Sequence, residues 1–276
     1  MAKRVKTILP DLTFEEALEI TKIYSISGNM KDSFLITKRP FRSPHHTISA
    51  NALIGGGKIP KPGEISLSHS GVLFLDELPE FNRNVLEVLR GPLEDKFVHI
   101  SRVGASITYP CNFMLVASMN PCPCGYFGSK EKPCKCTEFQ IKNYINKISG
   151  PILDRIDIQV QVSNIKQSDY YNKPAEKSKD IKKRVNNARK IQYERYRKFN
   201  IYCNSELNVK LLDEFCKLDN TSNMILQKAT EKMNLSSRGY SKILKVARTI
   251  ADLEYSKEIN EDHIIEALQY RSFENE

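Results

Sequence analysis

The 276-residue sequence has no apolar run of membrane-spanning length, so no transmembrane helix and no membrane partner are expected. Its opening, MAKRVKTILPDLTFEE, lacks an apolar h-region and a small-residue cleavage site. No secretory signal is expected there, and the cytoplasm is the expected compartment. Repeats and low-complexity tracts are missing too. Seven cysteines without secretory features argue against a disulfide framework. Acidic residues are in deficit, 33 against 42 Lys and Arg, giving a formal net charge of +9. That balance favours an anionic partner such as nucleic acid. Much of the excess lies in KSKDIKKRVNNARKIQYERYRK, 177–198, which reads either as a nucleic-acid contact or as a solvated helix face.

What is present is ordinary for a globular chain, with 40% apolar and 27% charged residues. Thr13 and Glu16 stand in capping-box spacing ahead of an amphipathic pattern, which predicts a helix. From Ser27 to Ser70 the composition turns to Pro, Gly, Ser and His, predicting loops and short hairpins that interrupt a sheet domain. In GVLFLDELPE, 71–80, four apolar residues run into Asp76 and Glu77, as in a strand buried on both faces. FNRNVLEVLRGPLED predicts a helix disturbed at Gly91-Pro92, and KFVHISRVGASITYP a hairpin turning at Val103-Gly104. CNFMLVASMN, 111–120, and RIDIQVQV, 155–162, predict second and third strands. Polar residues and a Pro around 163–180 mark a linker. The remainder reads as helical, with a helix capped by Ser236 or Ser237 and a last one starting at Asn260. The order is an α/β part followed by an all-α part.

A buried strand ending in Asp-Glu suits nucleotide hydrolysis, where one carboxylate holds Mg²⁺ and its neighbour orients or deprotonates water. Asp76 and Glu77 fit those roles; acidic turn residues are the plainer alternative. The next buried strand ends in Asn120, which suits positioning water beside a γ-phosphate, or an Asx turn before Pro121. Arg155, after the Gly-Pro breaker, suits charge stabilisation in a neighbouring subunit's site or a local ion pair. Arg238 falls in the first turn of its helix, where the macrodipole disfavours a cation. An anionic partner from elsewhere, a phosphate or a carboxylate, is expected to offset this.

Cys122, Cys124, Cys134 and Cys136 form C-x-C-x₉-C-x-C. Four thiolates closing one loop suit tetrahedral Zn²⁺, and reduced free thiols are the alternative. Cys111, Cys203 and Cys216 are isolated in apolar surroundings and read as core or incidental. For the adjacent His45 and His46, loop packing or DNA contact is expected ahead of metal binding.

The segments RPFRSPHHTIS, GGGKIPKPGEISLSHSGVLFLDELPEF, VASMNPCPCG, ISGPILDRIDIQV and LSSRGYSKILKVARTIADL, in that order, resemble the magnesium-chelatase-like AAA+ proteins of the ComM (YifB) type. The resemblance implies an AAA+ P-loop-type parallel-sheet subdomain over 1–163, a linker at 164–180 and an all-α helical lid over 181–276. It implies Walker B roles for Asp76 and Glu77, sensor 1 for Asn120, the arginine finger for Arg155 and sensor 2 for Arg238. Asp76 and Arg238 would then contact ATP·Mg²⁺. It further implies a helix-2 insertion at 39–70 and a pre-sensor hairpin at 96–109, ahead of the Cys loop at 122–136. Such hairpins line the pore of a hexameric ring, so Lys96, His99 and Arg102 are DNA candidates, with a solvated hairpin as the alternative.

The departure is the phosphate loop. No G-x-x-x-x-G-K-[ST] occurs in the sequence, and GGGK at 55–58 cannot serve, because Pro60 and Pro62 forbid the helix that must follow. The resemblance implies that the chain begins just past that loop, lacking the first strand as well, and that alone it hydrolyses ATP feebly or not at all. The expected function is that of a ComM-like ATP-driven ring motor acting on DNA, in branch migration during uptake and recombination. A chelatase motor subunit and a non-hydrolysing binding subunit are the rivals.

Overall fold

Thr13 and Glu16 begin the first helix as their spacing predicts. α1 (Phe14–Ser27) starts on a complete capping box and ends on Gly28 in the left-handed conformation, φ 76°. Glu16 has a second role, since its two oxygens accept from the Arg39 guanidinium at 2.9 and 2.8 Å. Arg39 also donates to the carbonyls of Pro10 at 2.6 Å, Asp11 at 3.1 Å and Ser70 at 2.7 Å. One side chain thus joins the segment before α1, the helix and the approach to the sheet. The computed structural model describes residues 2–30, 34–102, 105–129, 132–162, 176–199 and 201–271, without the side chains of Arg102 and Ala105. The chain divides into two units, Met1–Arg155 and Ile156–Glu276.

In the first unit α1 is followed by β1 (Phe41–Arg42), α2 (Ala50–Ile54), β2 (Gly55–Gly56), β3 (Lys61–Pro62), α3 (Glu64–Leu67) and β4 (Val72–Leu75). Next come α4 (Arg83–Glu87), α5 (Arg90–Asp95), β5 (Phe97–Arg102), β6 (Ala105–Pro110), β7 (Met114–Ala117), α6 (Glu138–Ile145) and α7 (Gly150–Leu153). A parallel sheet runs in the order β1-β4-β7. Every residue of β4 is buried, as a strand covered on both faces requires. β7 pairs with it from Val72↔Met114 to Leu75↔Ala117. It is only partly buried, because among the described residues it has one neighbouring strand.

The segment 27–70 contains the expected short hairpin, β2–β3. It also supplies β1 to the sheet and buries Leu53 and Ile65 completely, a larger share of the core than its composition suggests. Gly55 and Gly63 let the backbone fold this tightly. A Cβ on Gly63 would stand 2.4 Å from the Gly55 nitrogen, and Gly55 itself has φ +113°. The disturbance at Gly91-Pro92 is absorbed by ending α4 at Glu87 and starting α5 at Arg90. Pro92 then lies in the first turn, where its missing N–H has no intrahelical partner to lose. β5 and β6 form the predicted antiparallel hairpin, in register from Phe97↔Pro110 to Arg102↔Ala105. Val98, Ile100 and Tyr109 pin one face to the core, and the Tyr109 hydroxyl donates to Pro60 O at 2.9 Å.

The second unit holds α8 (Ser178–Tyr196), α9 (Val209–Phe215), α10 (Asn220–Lys232), α11 (Ser237–Leu253) and α12 (Glu261–Gln269). Ser236 caps α11 and Asn260 caps α12, and Ile243, Ala247, Ile250 and Ile264 face the core. Beside that core Asp252 is buried. Its carboxylate accepts from Arg195, Arg248, Gln192 and Asn204.

The expected third strand at 155–162 is not formed, and no described residue of 156–162 is in a strand. Alternation marks two faces, but a strand needs a neighbouring backbone. Here the Gln159 N–H donates to Tyr270 O at 2.8 Å, and Ile158, Val160 and Val162 are exposed. The units divide at Arg155, where the sequence reading draws its boundary at 163. α8 already runs from Ser178, inside the stretch read as linker to 180; residues 163–175 lie outside the described ones.

Candidate functional site

Parallel pairing brings the C-terminal ends of β4 and β7 side by side. Ser118 N–H donates to Leu75 O at 3.0 Å, and Leu78 N–H donates back to Ser118 O at 2.9 Å. Asp76 and Glu77 therefore emerge from the middle strand beside Ser118, and Asn120 follows two residues on. The Ser118 hydroxyl donates to Asp76 Oδ1. Both carboxylates are exposed to solvent.

Glu77 has left-handed backbone, φ 54° and ψ 52°, and caps the 3₁₀ turn Leu78–Glu80. A non-glycine residue held there costs of order 1–3 kcal/mol, and the bonds on either side hold it. Its Oε2 lies 3.9 Å from His46 Nδ1. The His45 and His46 rings lie tilted at 35° with centroids 4.0 Å apart, and His46 meets the edge of Phe81. A cavity of about 570 Å³ opens next to His46, lined also by Ser49, Glu80, Asn82 and Asn84 but by neither Asp76 nor Glu77.

Asn120 is exposed, and its backbone bonds the Tyr144 hydroxyl, whose pKa is raised chiefly by burial. The cysteine loop folds back toward the asparagine, since a Cβ on Gly125 would stand 4.0 Å from Asn120 Cγ.

The structure gathers all four clustered cysteines, and their Sγ atoms lie within 4.8 Å of one another. The closest separations are 3.4, 3.6 and 3.7 Å. A disulfide would need about 2.05 Å, whereas a tetrahedron with Zn–S bonds of about 2.3 Å has edges of about 3.75 Å. Each sulfur also accepts a backbone N–H: Cys122 from Phe127, Cys134 from Cys136, Cys124 from Lys135 and Tyr126, and Cys136 from Cys124. The Lys135 and Tyr126 donors hold the Cys124 thiol down at about 6. Against the pull of the Cys136 N–H, burial and bonds to Cys124 push Cys134 up to about 12. Four thiols this close compete for negative charge, and a divalent cation would remove the competition. The donor set therefore fits a tetrahedral metal ion.

The two arginines lie in different units. Arg155 is mostly buried, with its guanidinium bonded to Glu94 and to Pro151 O at 2.7 Å. This is the local ion pair that the sequence left open as an alternative. Its Nε is buried with no hydrogen-bond partner among the described residues. Arg238 stands exposed in the first turn of α11, as expected, within the second unit. Lys96, between α5 and β5, is exposed at a left-handed position, φ 62°, and on the β5–β6 hairpin exposed His99 shares a 2.8 Å hydrogen bond with Thr108. The Arg102 side chain lies outside the description.

Sequence reasoning missed Ser118, and it weighed His46 for loop packing, DNA contact or metal without its place beside Glu77. Ser118 was within reach, because matching the two apolar runs in parallel puts it opposite the residue after Leu75. The approach of His46 to Glu77 carried no such signal.

The family profile described as "Magnesium chelatase, subunit ChlI" matches residues 1–170, and the one described as its C-terminal part matches residues 175–271. "Competence protein ComM" of Haemophilus influenzae is 44% identical over 274 residues, covering 99% of this chain and 53% of the relative. "Uncharacterized protein YifB" of Escherichia coli is 43% identical over 277 residues, with the same coverage. "Magnesium-chelatase subunit ChlI" of Euglena gracilis is 28% identical over 166 residues, 57% of this chain and 46% of the relative. The chain thus spans about half the length of the curated relatives it matches. No helix among the described residues is long and apolar enough to cross a membrane. With profile matches across both units and a parallel sheet followed by a helical region, the chain belongs to the magnesium-chelatase ChlI family.

Proposed function

We propose that this chain is the catalytic-acid and lid portion of a ComM-like AAA+ ATPase, a cytoplasmic ring motor that acts on DNA. The observation that carries the reading is the β4–β7 pairing, which sets Asp76, Glu77, Ser118 and Asn120 at one end of a parallel sheet, where ligand crevices open. Similarity to the competence protein supports DNA as the substrate, as does the net charge of +9.

Asp76, oriented by Ser118, would hold Mg²⁺ carried by ATP, and the ion's chemistry is to neutralise charge on the transferring phosphoryl. Glu77 orients the attacking water and takes its proton. Asn120 positions the same water. Arg155 serves a neighbouring copy's site and must first exchange Glu94 for phosphate. Arg238 contacts phosphate from the lid. The hairpin that carries Lys96, His99 and Arg102 contacts DNA. Cys122, Cys124, Cys134 and Cys136 hold Zn²⁺, which closes the loop after Asn120.

These 276 residues contain no G-x-x-x-x-G-K-[ST], so as purified they bind ATP weakly. Supplying that loop upstream is expected to raise affinity by about 100-fold or more, the worth of two or more charge-assisted hydrogen bonds. Calorimetric titration of both polypeptides tests this. Equal affinities, or ATP hydrolysis by the extended protein that survives Glu77→Gln, defeat the reading.

A further inference from the structure

α8 carries a surface that the acid pair and the hairpin leave unused. It turns Ala188, Gln192 and Tyr196 inward, and Gln192 and Arg195 anchor it to the buried Asp252 carboxylate. The opposite face follows from the helical period. Lys179, Lys183, Asn186, Lys190, Tyr193 and Arg197 recur at steps of four and three, and all are exposed. The row is about 27 Å long at 1.5 Å per residue.

Lys179, Lys183, Lys190 and Arg197 form no ion pair among the described residues. No acid falls on the row, and Glu194 only borders it. A solvated helix gains from opposite charges at i,i+4, whereas Lys179 and Lys183 are like charges at that spacing. Folding supplies no reason for this arrangement; an extended polyanion does. Lipid is disfavoured, because the row has no aliphatic side chain to insert.

Tyr193 adds an aromatic surface. Its ring lies nearly parallel to that of Tyr202, at 13° with centroids 6.3 Å apart. The two side chains remain 55% and 53% exposed beside the cations. Aromatic faces next to a basic track are what unpaired bases stack on. We infer that this face of α8 binds single-stranded nucleic acid, with phosphates along the Lys179–Arg197 row and a base against Tyr193 and Tyr202. The site goes beyond the motor reading above and needs neither ATP nor the hairpin.

The test titrates the 276-residue chain against labelled oligo-dT and a labelled duplex over a salt series, with circular dichroism confirming that each variant is folded. Lys183→Gln/Lys190→Gln/Arg197→Gln is expected to lower the slope of log K against log [salt] on oligo-dT by about 2, at about 0.7 per contact. Tyr193→Ala is expected to weaken oligo-dT binding about tenfold without changing the slope, and to leave the duplex unaffected. The charge-matched control Lys210→Gln/Lys228→Gln/Lys232→Gln should leave binding unchanged. An unchanged slope in the first variant, or an equal loss in the control, overturns the proposal. So does a loss shared by duplex and single strand with no effect of Tyr193→Ala. A separate Lys96→Gln/His99→Ala variant reports on the hairpin, so the two surfaces stand or fall apart.

Discussion

Ser118 donates its hydroxyl proton to Asp76 Oδ1 across the joined ends of β7 and β4. The bond fixes the rotation of a carboxylate that solvent would otherwise leave free to turn. In a polypeptide that also carries the phosphate loop, Ser118→Ala is expected to lower kcat for ATP about tenfold, the worth of one hydrogen bond to a charged group. KM for ATP should change little, and Asp76→Asn should reduce turnover to background. Steady-state phosphate release measures both.

The sulfur cluster makes a quantitative demand on composition. Chain purified under reducing conditions is expected to contain about one zinc per polypeptide, and either Cys124→Ser or Cys134→Ser should remove most of it. Elemental analysis checks the content. Chelation should also expose all four thiols to alkylation, read by mass spectrometry.

Asp252 is fully buried and serves two guanidiniums, Arg195 and Arg248. Asp252→Ala leaves both cations without a counter-charge in the interior. The expected loss is about 3–5 kcal/mol, measured by urea unfolding. Lys228→Gln, at an exposed position of α10, should stay within about 0.5 kcal/mol of the parent.

Alkaline pH should unfold the chain through its buried weak acids. Burial raises Cys111 from 9.0 to about 12, Cys216 from 9.0 to about 11, and Tyr196 from 10.0 to about 12. In each case the folded state keeps a proton that the unfolded chain releases. Their contribution is therefore complete below about pH 9 and lost as pH rises toward about 12. Thermal melts from pH 8 to 11 should show the decline, and Cys111 and Cys216 should resist iodoacetamide at pH 8 in the folded chain.

Local patterns carried most of the fold. The Thr13–Glu16 capping box, the VLFL run before Asp76 and the β5–β6 pairing each depend on residues close in sequence, so sequence reveals them; the expected turn at Val103-Gly104 lies outside the described residues. β1 was hidden because a two-residue strand is defined only by Phe41 and Arg42 lying across from Val72 and Leu73. The alternation of 155–162 was legible and misleading, since it shows two faces and says nothing of a backbone to pair with. At the site the acid pair, Asn120 and the four cysteines were readable from type and spacing. Ser118, His46 and the Glu94 partner of Arg155 depend on register and tertiary approach, which one sequence does not display.

The Glu16 carboxylate accepts from the Thr13 N–H at 2.9 Å while both its oxygens grip Arg39. Because Arg39 in turn reaches Ser70, two residues ahead of β4, the start of α1 cannot fray without slackening the lead-in to the central strand. Helix and central strand therefore melt as one block, and the amides of both should exchange with solvent through a single shared opening event.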